Sequence, residues 1–416
     1  MTSLVDEARA RSLELLSRAS SSLGFVASPT FDHYAQLWTR DAVISSLGAL
    51  VTGEPDLVDT AVRTMRSLTE ATTPLGQVAS VIHLDSESWD WGEGGVVDAT
   101  AWFVILTGAV FEVTGSADLA IDHWPEVSGA MTWLRHQDVT GSGLISAAPS
   151  TDWMDSSLVR SGRTLNLNAL YHWAAVSAAK VARAVGEKPP VDPEDLASRV
   201  NALFWPTRAI GPERLMLLEK PPDRFPHGAL VSAHEQAANR QRRHYLSHVI
   251  HSLYDEHCDV LANLILACTG VANPQKSGAI LDHLEETSVS APFPSRTWTE
   301  PVDPEEPSSM FIPGVETHLD PRWSNAPYHY HNGGIWPFVG GFHTAALALH
   351  SREDDASALL NKLAAANELG GWGFHEWLHG VSGEPRGARD QTWNAGTYLL
   401  AEAAIRNPAI IRRLFI

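Results

Sequence analysis

The sequence predicts an all-α protein, six helical hairpins closed into an (α/α)6 toroid, on three observations. Most apolar runs repeat at helical spacing, and convincing alternating strands are scarce. Roughly twelve such helices are found, the number that six hairpins require. Some of them, 98–113 above all, are apolar nearly all round. In a soluble chain that marks a helix buried on both sides, as the inner members of two concentric rings are. Periodicity alone does not separate a toroid from an α-solenoid, but no fixed-length repeat is visible.

The elements follow in order. Residues 3–19 set Leu4, Ala8, Leu13, Leu15 and Leu16 among charges, and helices are read at 42–51, 56–69, 98–113 and 126–136. Others are read at 166–185, 194–204, 246–268, 275–286, 337–350, 354–368 and 390–405. The connections 83–97, 141–165, 219–240, 288–334 and 369–390 are long and rich in Gly, Pro, Trp and Asp. Disordered loops avoid tryptophan, so these are read as ordered loops that form a site. No boundary stands out, and residues 1–416 are expected to form one catalytic domain.

Composition narrows the function. Lys and Arg number 30 against 49 Asp and Glu, a formal charge of −19. No basic run is available for phosphates, which argues against nucleic acid, and an anionic membrane surface would repel the chain. A neutral small molecule suits this balance. The N-terminus lacks the basic-then-apolar pattern of a signal peptide, and no apolar stretch is read as reaching the 18 residues of a membrane span. Cys258 and Cys268, if on one helix, lie about 15 Å apart, beyond the ~7 Å a disulfide spans. A cytoplasmic location is expected. Self-association is left open.

Of the fifteen tryptophans, nine lie in five clusters beside polar residues. Trp38, Arg40 and Asp41 stand where a helix begins; Asp41 suits an N-cap, and the trio equally suits a sugar, with hydrogen bonds to adjacent hydroxyls and an apolar wall. Trp89, Asp90 and Trp91 lead to Asp98, which precedes the apolar helix and shares a face with Trp102 at i+4. Asp98 reads either as an N-cap or as a carboxylic acid kept protonated by apolar surroundings. Asp152, Trp153 and Asp155, with Arg160, Arg163, Asn166 and Asn168, crowd hydrogen-bonding groups around a Trp. Their spacing is not that of a calcium loop. His329 and His331, then Asn332, Gly333, Gly334 and Trp336, form a polar and aromatic rim; the two histidines alone are too few for a metal. Glu376 sits between Phe374 and Trp377 in a glycine-rich loop, with Gln391 and Trp393 opening the last long helix.

No serine-hydrolase elbow, phosphate loop, dinucleotide fingerprint or zinc motif is present. Carboxylates among tryptophans remain. Breaking a glycosidic bond requires one carboxylic acid to protonate the leaving oxygen and a second carboxylate to activate water or attack.

Together the motifs resemble glycoside hydrolase family 100, the alkaline/neutral invertases, and bacterial and archaeal relatives of amylo-α-1,6-glucosidase or debranching type. The likeness runs over about residues 31–403, through WTRD, GEPDLV, VVDATAWFVIL, LYDEHCDVLANLILACTGVA, YHYHNGGIWPFVGGF and HEWLHGVSGEPRGARDQTWNAGTYLLA. It implies an (α/α)6 barrel, inversion at the anomeric centre, Asp98 as general acid and Glu376 as general base. The acid segment reads Val-Val-Asp-Ala-Thr where the invertases have Pro-Val-Asp-Ser-Gly. The family's Asp-Thr-Leu-Gly is Asp259-Val260-Leu261-Ala262. Those changes widen the expected substrate from sucrose to other small neutral α-glucosides or glucosylated metabolites. Trp38, Arg40, Asp41, Trp89, Asp90, Trp91, Trp102, Asp152, Trp153, Asp155, Arg163, Asn168, His331, Asn332, Gly334, Trp336, Trp377, Gln391 and Trp393 are expected to bind it. No metal or organic cofactor is expected. The scheme requires the two carboxyls to face one cavity. Its competitors are a sugar isomerase using His329 and His331, a debranching α-1,6-glucosidase, an inverting phosphorylase and a non-catalytic sugar-binding protein.

Overall fold

The computed structural model describes residues 3–86, 88–92, 96–148, 151–154, 160–219, 227–250, 253–303 and 325–416. Its helices are α1 (Leu4–Arg18), α2 (Thr39–Thr52), α3 (Pro55–Glu70), α4 (Val97–Thr114), α5 (Ala117–Arg135), α6 (Leu165–Val185), α7 (Pro193–Phe204) and α8 (Pro212–Glu219). They continue with α9 (His227–Ala238), α10 (Val260–Cys268), α11 (Pro274–Glu286), α12 (Pro337–Leu349), α13 (Glu353–Trp372), α14 (Thr392–Arg406) and α15 (Pro408–Phe415).

Six of these close a ring. Helices α2, α4, α6, α10, α12 and α14 each pack on the next, and α14 returns to α2. Helices α3, α5, α7, α11, α13 and α1 lie outside them, completing six hairpins and the (α/α)6 barrel. The inner helices are apolar on all sides because they face neighbours on all sides: every residue of α10 and of α12 is buried. Close approach sets the residue type. A side chain at Gly48 on α2 would meet the Gly396 carbonyl oxygen of α14 at 2.0 Å.

Helix starts follow local chemistry. Ser116, Asp192 and Asn273 accept backbone N–H bonds as N-caps of α5, α7 and α11. Proline at the first position opens α3, α7, α11, α12 and α15, where its missing N–H has no partner to lose. Helix α15 packs against α4, α6, α12 and α14. Phe415 stacks on Trp173 at 4.4 Å between ring centroids, and the Trp173 indole donates to the Leu414 carbonyl.

Three antiparallel sheets sit in the loops that enter the inner helices. Strands β1 (Leu37–Trp38), β2 (Val81–His83) and β3 (Ser88–Asp90) form one, with Trp38 opposite Val81 and Val81 opposite Asp90. Strands β4 (Arg163–Thr164), β5 (His248–Ile250) and β6 (Leu253–Asp255) form another, with Arg163 opposite Val249. Strands β7 (Trp377–Leu378) and β8 (Pro385–Arg386) make the last.

The structure corrects several sequence expectations. The helix read over 246–268 is a hairpin of β5 and β6 followed by α10. Its β-branched and aromatic residues serve a strand as well as a helix face. Cys258 therefore precedes α10 rather than sharing it with Cys268, and both thiols are free and buried. The loop read over 219–240 contains α9, and α8 and α15 were not anticipated. Helix α5 begins at Ala117 and runs through Pro125, a residue that also suits a helix start. Helix α4 has the 18 residues and apolarity of a membrane span; most of it is buried as an inner barrel helix.

Candidate active site

The N-terminal ends of α2, α12 and α14 meet at one cavity of about 190 Å³. Its wall is His33, Tyr34, Trp38, Arg40, Asp41, Trp153, Tyr330, His331, Trp336, Glu376, Gln391 and Trp393. Helix α2 starts at Thr39, so Arg40 and Asp41 lie in its first turn and Trp38 is the preceding residue. Asp41 is thus not the N-cap its position suggested; it is buried at the cavity edge.

Aromatic packing fixes the wall. Trp153 meets His331, Trp336 and Phe338 edge to face at 5.1, 5.5 and 5.3 Å. His331 stacks on Trp336, and Trp393 stacks on Phe338. On the other side His33 and Tyr34 pack against Trp38, whose indole donates to the His33 carbonyl at 3.2 Å.

Glu376 is nearly fully buried within this wall. Its Oε1 accepts from the Tyr34 hydroxyl at 3.1 Å and its Oε2 from the Ala388 backbone N–H at 2.9 Å. Gly387 lies against it with φ +69°, and a Cβ there would stand 2.3 Å from Glu376 Oε2.

Asp98 departs from the expected arrangement. It lies in the first turn of α4, fully buried at 0 % exposure, and is not part of the cavity wall. Its Oδ2 accepts from Arg40 Nε at 2.6 Å, and Arg40, with 15 % of its side chain exposed, carries the contact to the cavity. Among the described residues Oδ1 has no hydrogen-bond partner. Burial pushes the Asp98 carboxyl above the usual carboxylate range, Arg40 pulls it back, and the Asp152 charge pushes it up again; the net direction is upward.

Beside Asp98 lies a buried ion network. Arg160 donates to Asp152 and, at 2.7 Å, to Asp259, the N-cap of α10, and stacks over Trp298. Burial raises the Asp259 carboxyl and Arg160 lowers it, with burial prevailing. Asp152 is spent on this network and on the Met154 N–H, so it supports Trp153 from behind rather than meeting a ligand.

Of the residues read as sugar-binding, Trp38, Arg40, Asp41, Trp153, His331, Trp336, Gln391 and Trp393 form the wall. The others lie elsewhere. Trp102 packs edge to face on Trp173 in the core. Asn168 holds both backbone groups of Ile145, and Asn332 holds both of Val302, so their amides are used in binding loops. Gly334 lets the chain pass the Tyr330 carbonyl, which a Cβ would meet at 2.4 Å. Trp377 is buried in β7 behind Tyr330, and Arg163 is buried in β4 with a long bond to Thr140. Trp89, Asp90 and Trp91 belong to β3 and its turn, where Trp89 is 46 % exposed and Asp90 caps the Gly92 N–H. Asp155 lies outside the described residues. Only His331 of the two rim histidines joins the wall; the ring of His329 packs on Trp377 and His379.

Sequence reasoning missed His33, Tyr34 and Tyr330. Tyr330 stood inside a motif already singled out. The His-Tyr pair before Trp38 was a usable signal of the same polar and aromatic kind.

Comparisons with known proteins give the class. Residues 230–394 match the family model of the mannosylglycerate hydrolase MGH1-like glycoside hydrolase domain. The probable alkaline/neutral invertase D of Arabidopsis thaliana is 24% identical, over 91% of this chain and 76% of that protein. The cytosolic invertase 1 of Oryza sativa subsp. japonica is 25% identical, over 93% of this chain and 75% of that protein. Among solved structures, the GH63 mannosylglycerate hydrolase from Thermus thermophilus superposes with a TM-score of 0.63 at 15% identity, covering 94% of this chain and 99% of that one. A bacterial glucoamylase complexed with acarbose gives 0.64 at 14%, covering 98% and 57%. The fold and these relatives agree that the chain is a glycoside hydrolase on an (α/α)6 barrel. Within that class it is similar to the alkaline/neutral invertases, as its motifs indicated, and also to the MGH1-like hydrolases.

Proposed function

We propose that this chain is a single-domain, cytoplasmic, inverting glycosidase of a small neutral α-glucoside, with Glu376 as general base and Asp98 as general acid. One observation carries the reading: Glu376 stands in a tryptophan-walled cavity whose cation, Arg40, is bonded to the carboxyl of Asp98. The cavity, about 190 Å³, is smaller than the roughly 300–1,000 Å³ of drug-sized sites. The similarity to invertases favours sucrose or a related disaccharide, and the match to the mannosylglycerate hydrolase MGH1-like domain favours a glycosylated small metabolite.

In the mechanism the tryptophans cover the apolar faces of the sugar ring, while Arg40, Asp41 and Gln391 bind its hydroxyls. Glu376, fixed by Tyr34 and the Ala388 N–H, takes a proton from the attacking water. Asp98, whose carboxyl burial pushes above the ordinary carboxylate range against the pull of Arg40, gives its proton to the leaving oxygen. Arg40 must yield for that transfer, and it yields by turning its donors to sugar hydroxyls. The acid is thereby freed only when substrate is present.

A hydrolysis screen across sucrose, trehalose, isomaltose, kojibiose, glucosylglycerate and mannosylglycerate identifies the substrate, and proton NMR of the first product reads its anomer. Inversion is expected, with Glu376→Gln and Asp98→Asn each losing on the order of 10²–10⁴-fold in kcat. A retained anomer, or full activity in either variant, overturns the assignment.

A further inference from the structure

Away from the cavity, three residues distant in sequence come together. His244 precedes β5, Cys258 precedes α10, and His283 lies on α11. One ligand atom from each stands within 4.8 Å of the other two. The two imidazoles are stacked, centroids 4.8 Å apart and planes 27° apart. Nδ1 of His244 is bonded to the Tyr245 carbonyl at 2.9 Å, which fixes that nitrogen as the donor and leaves the Nε2 lone pair to ligate. A ligating histidine is ordinarily held this way. Nε2 of His283 is buried and, among the described residues, has no hydrogen-bond partner. Cys258 is almost fully buried, and among the described residues its sulfur receives only a long contact of 3.7 Å from Asn263.

We infer that His244, Cys258 and His283 form a binding site for one Zn²⁺ ion, separate from the glycosidase cavity. Two imidazoles and one thiolate are a donor set that zinc prefers. Tetrahedral zinc with its usual bond lengths sets ligand atoms about 3.4–3.7 Å apart. Closure from the 4.8 Å limit therefore asks for up to about 1.4 Å of movement of the ligand atoms. A water completes the coordination. Zinc takes histidine through a neutral nitrogen and cysteine as the thiolate. Binding accordingly breaks the Cys258 S–H bond, forms a zinc–sulfur bond and releases one proton to solvent.

The ion would tie the β5–β6 hairpin region to α10 and α11. Cys258 adjoins Asp259, whose carboxylate holds Arg160 and through it Asp152 beneath Trp153. Sequence reasoning could not find the site, because spacings of 14 and 25 residues match no zinc motif.

The test uses the full chain without a histidine tag, stripped by chelator and then titrated with Zn²⁺ by calorimetry and with Co²⁺ by absorbance. The expected result is one ion per chain, one proton released, a thiolate-to-cobalt charge-transfer band, and a higher Tm with zinc. Cys258→Ser should lose the band, His283→Ala should weaken binding at least tenfold, and Cys268→Ser should leave both unchanged. If Cys258→Ser does not fold, as read by circular dichroism, His283→Ala and His244→Ala decide. Absence of stoichiometric binding, or wild-type affinity in these variants, overturns the inference.

Discussion

Substituting Gly387 by alanine would displace the proposed base without altering any ionisable group. The added Cβ would stand 2.3 Å from Glu376 Oε2, and ordinary contact begins at 3.4 Å, so the carboxylate must retreat by about 1.1 Å. It cannot retreat freely, because Oε2 is held by the Ala388 N–H and Oε1 by Tyr34. A misplacement of this size costs roughly 10²-fold in rate when the displaced group positions the reacting atoms. The left-handed φ of +69° adds about 1–2 kcal/mol of backbone strain for a residue bearing a Cβ. Gly387→Ala is therefore expected to fold with a Tm a few degrees lower and to lose about 10²-fold in kcat, with KM changed less than kcat. The assay is initial rates on the substrate found by the screen, beside thermal melts followed by circular dichroism. A folded Gly387→Ala enzyme of wild-type kcat would refute the assignment of Glu376, since the base would then tolerate an ångström of displacement.

Two further outcomes are expected. Arg40 lowers the Asp98 carboxyl against the larger upward push of burial, so Arg40→Gln should raise it further. Asp98 must be protonated to act, and the alkaline limb of the pH–rate profile should move to higher pH while kcat/KM falls; a limb that stays or moves lower would remove Asp98 from the acid's role. Burial holds His172 and His248 down at about 4 and His343 at about 3, below the ordinary 6.5. A depressed folded value means stability present above pH 6.5 and lost as pH falls through the folded values, at on the order of 3 kcal/mol for His172. Tm should fall steeply between pH 6.5 and about 4, and a flat Tm over that window would contradict the burial of neutral imidazoles.

The ring of six helices was legible because closure makes its inner members buried all round, a pattern a sequence records directly. The hairpin at 248–255 was not, since His248, Val249 and Tyr254 satisfy helix and strand spacing alike and only pairing with Arg163 and Thr164 decides. In the site, tryptophan beside a carboxylate marked Trp38, Trp153, Trp336, Trp393 and Glu376, which the structure places in the cavity wall. The same signal also marked Trp89, Trp91 and Trp102, which serve a sheet and the core. Local composition identifies a polar and aromatic environment; which face of it meets the cavity depends on contacts made by distant segments. Asn168 and Asn332 illustrate the point: their amides are consumed by backbone groups 23 and 30 residues away.

The position of Asp98 bears on how such an enzyme avoids exposing its acid to water. A carboxyl open to the cavity would ionise near its ordinary value and would be a poor proton donor at neutral pH. Complete burial raises it, but burial alone leaves the group unable to reach a leaving oxygen. Arg40 resolves the conflict by occupying the boundary: its Nε holds Asp98 while its side chain forms part of the cavity wall. On this proposal, a guest with adjacent hydroxyls competes for the guanidinium, and each hydrogen bond Arg40 makes to sugar weakens its hold on Asp98. Losing that cation in a buried pocket raises the carboxyl further, at the moment a proton donor is needed. Recognition and acid strength would then be set by one side chain, and a ligand that fills the cavity without engaging Arg40 would bind and not be cleaved.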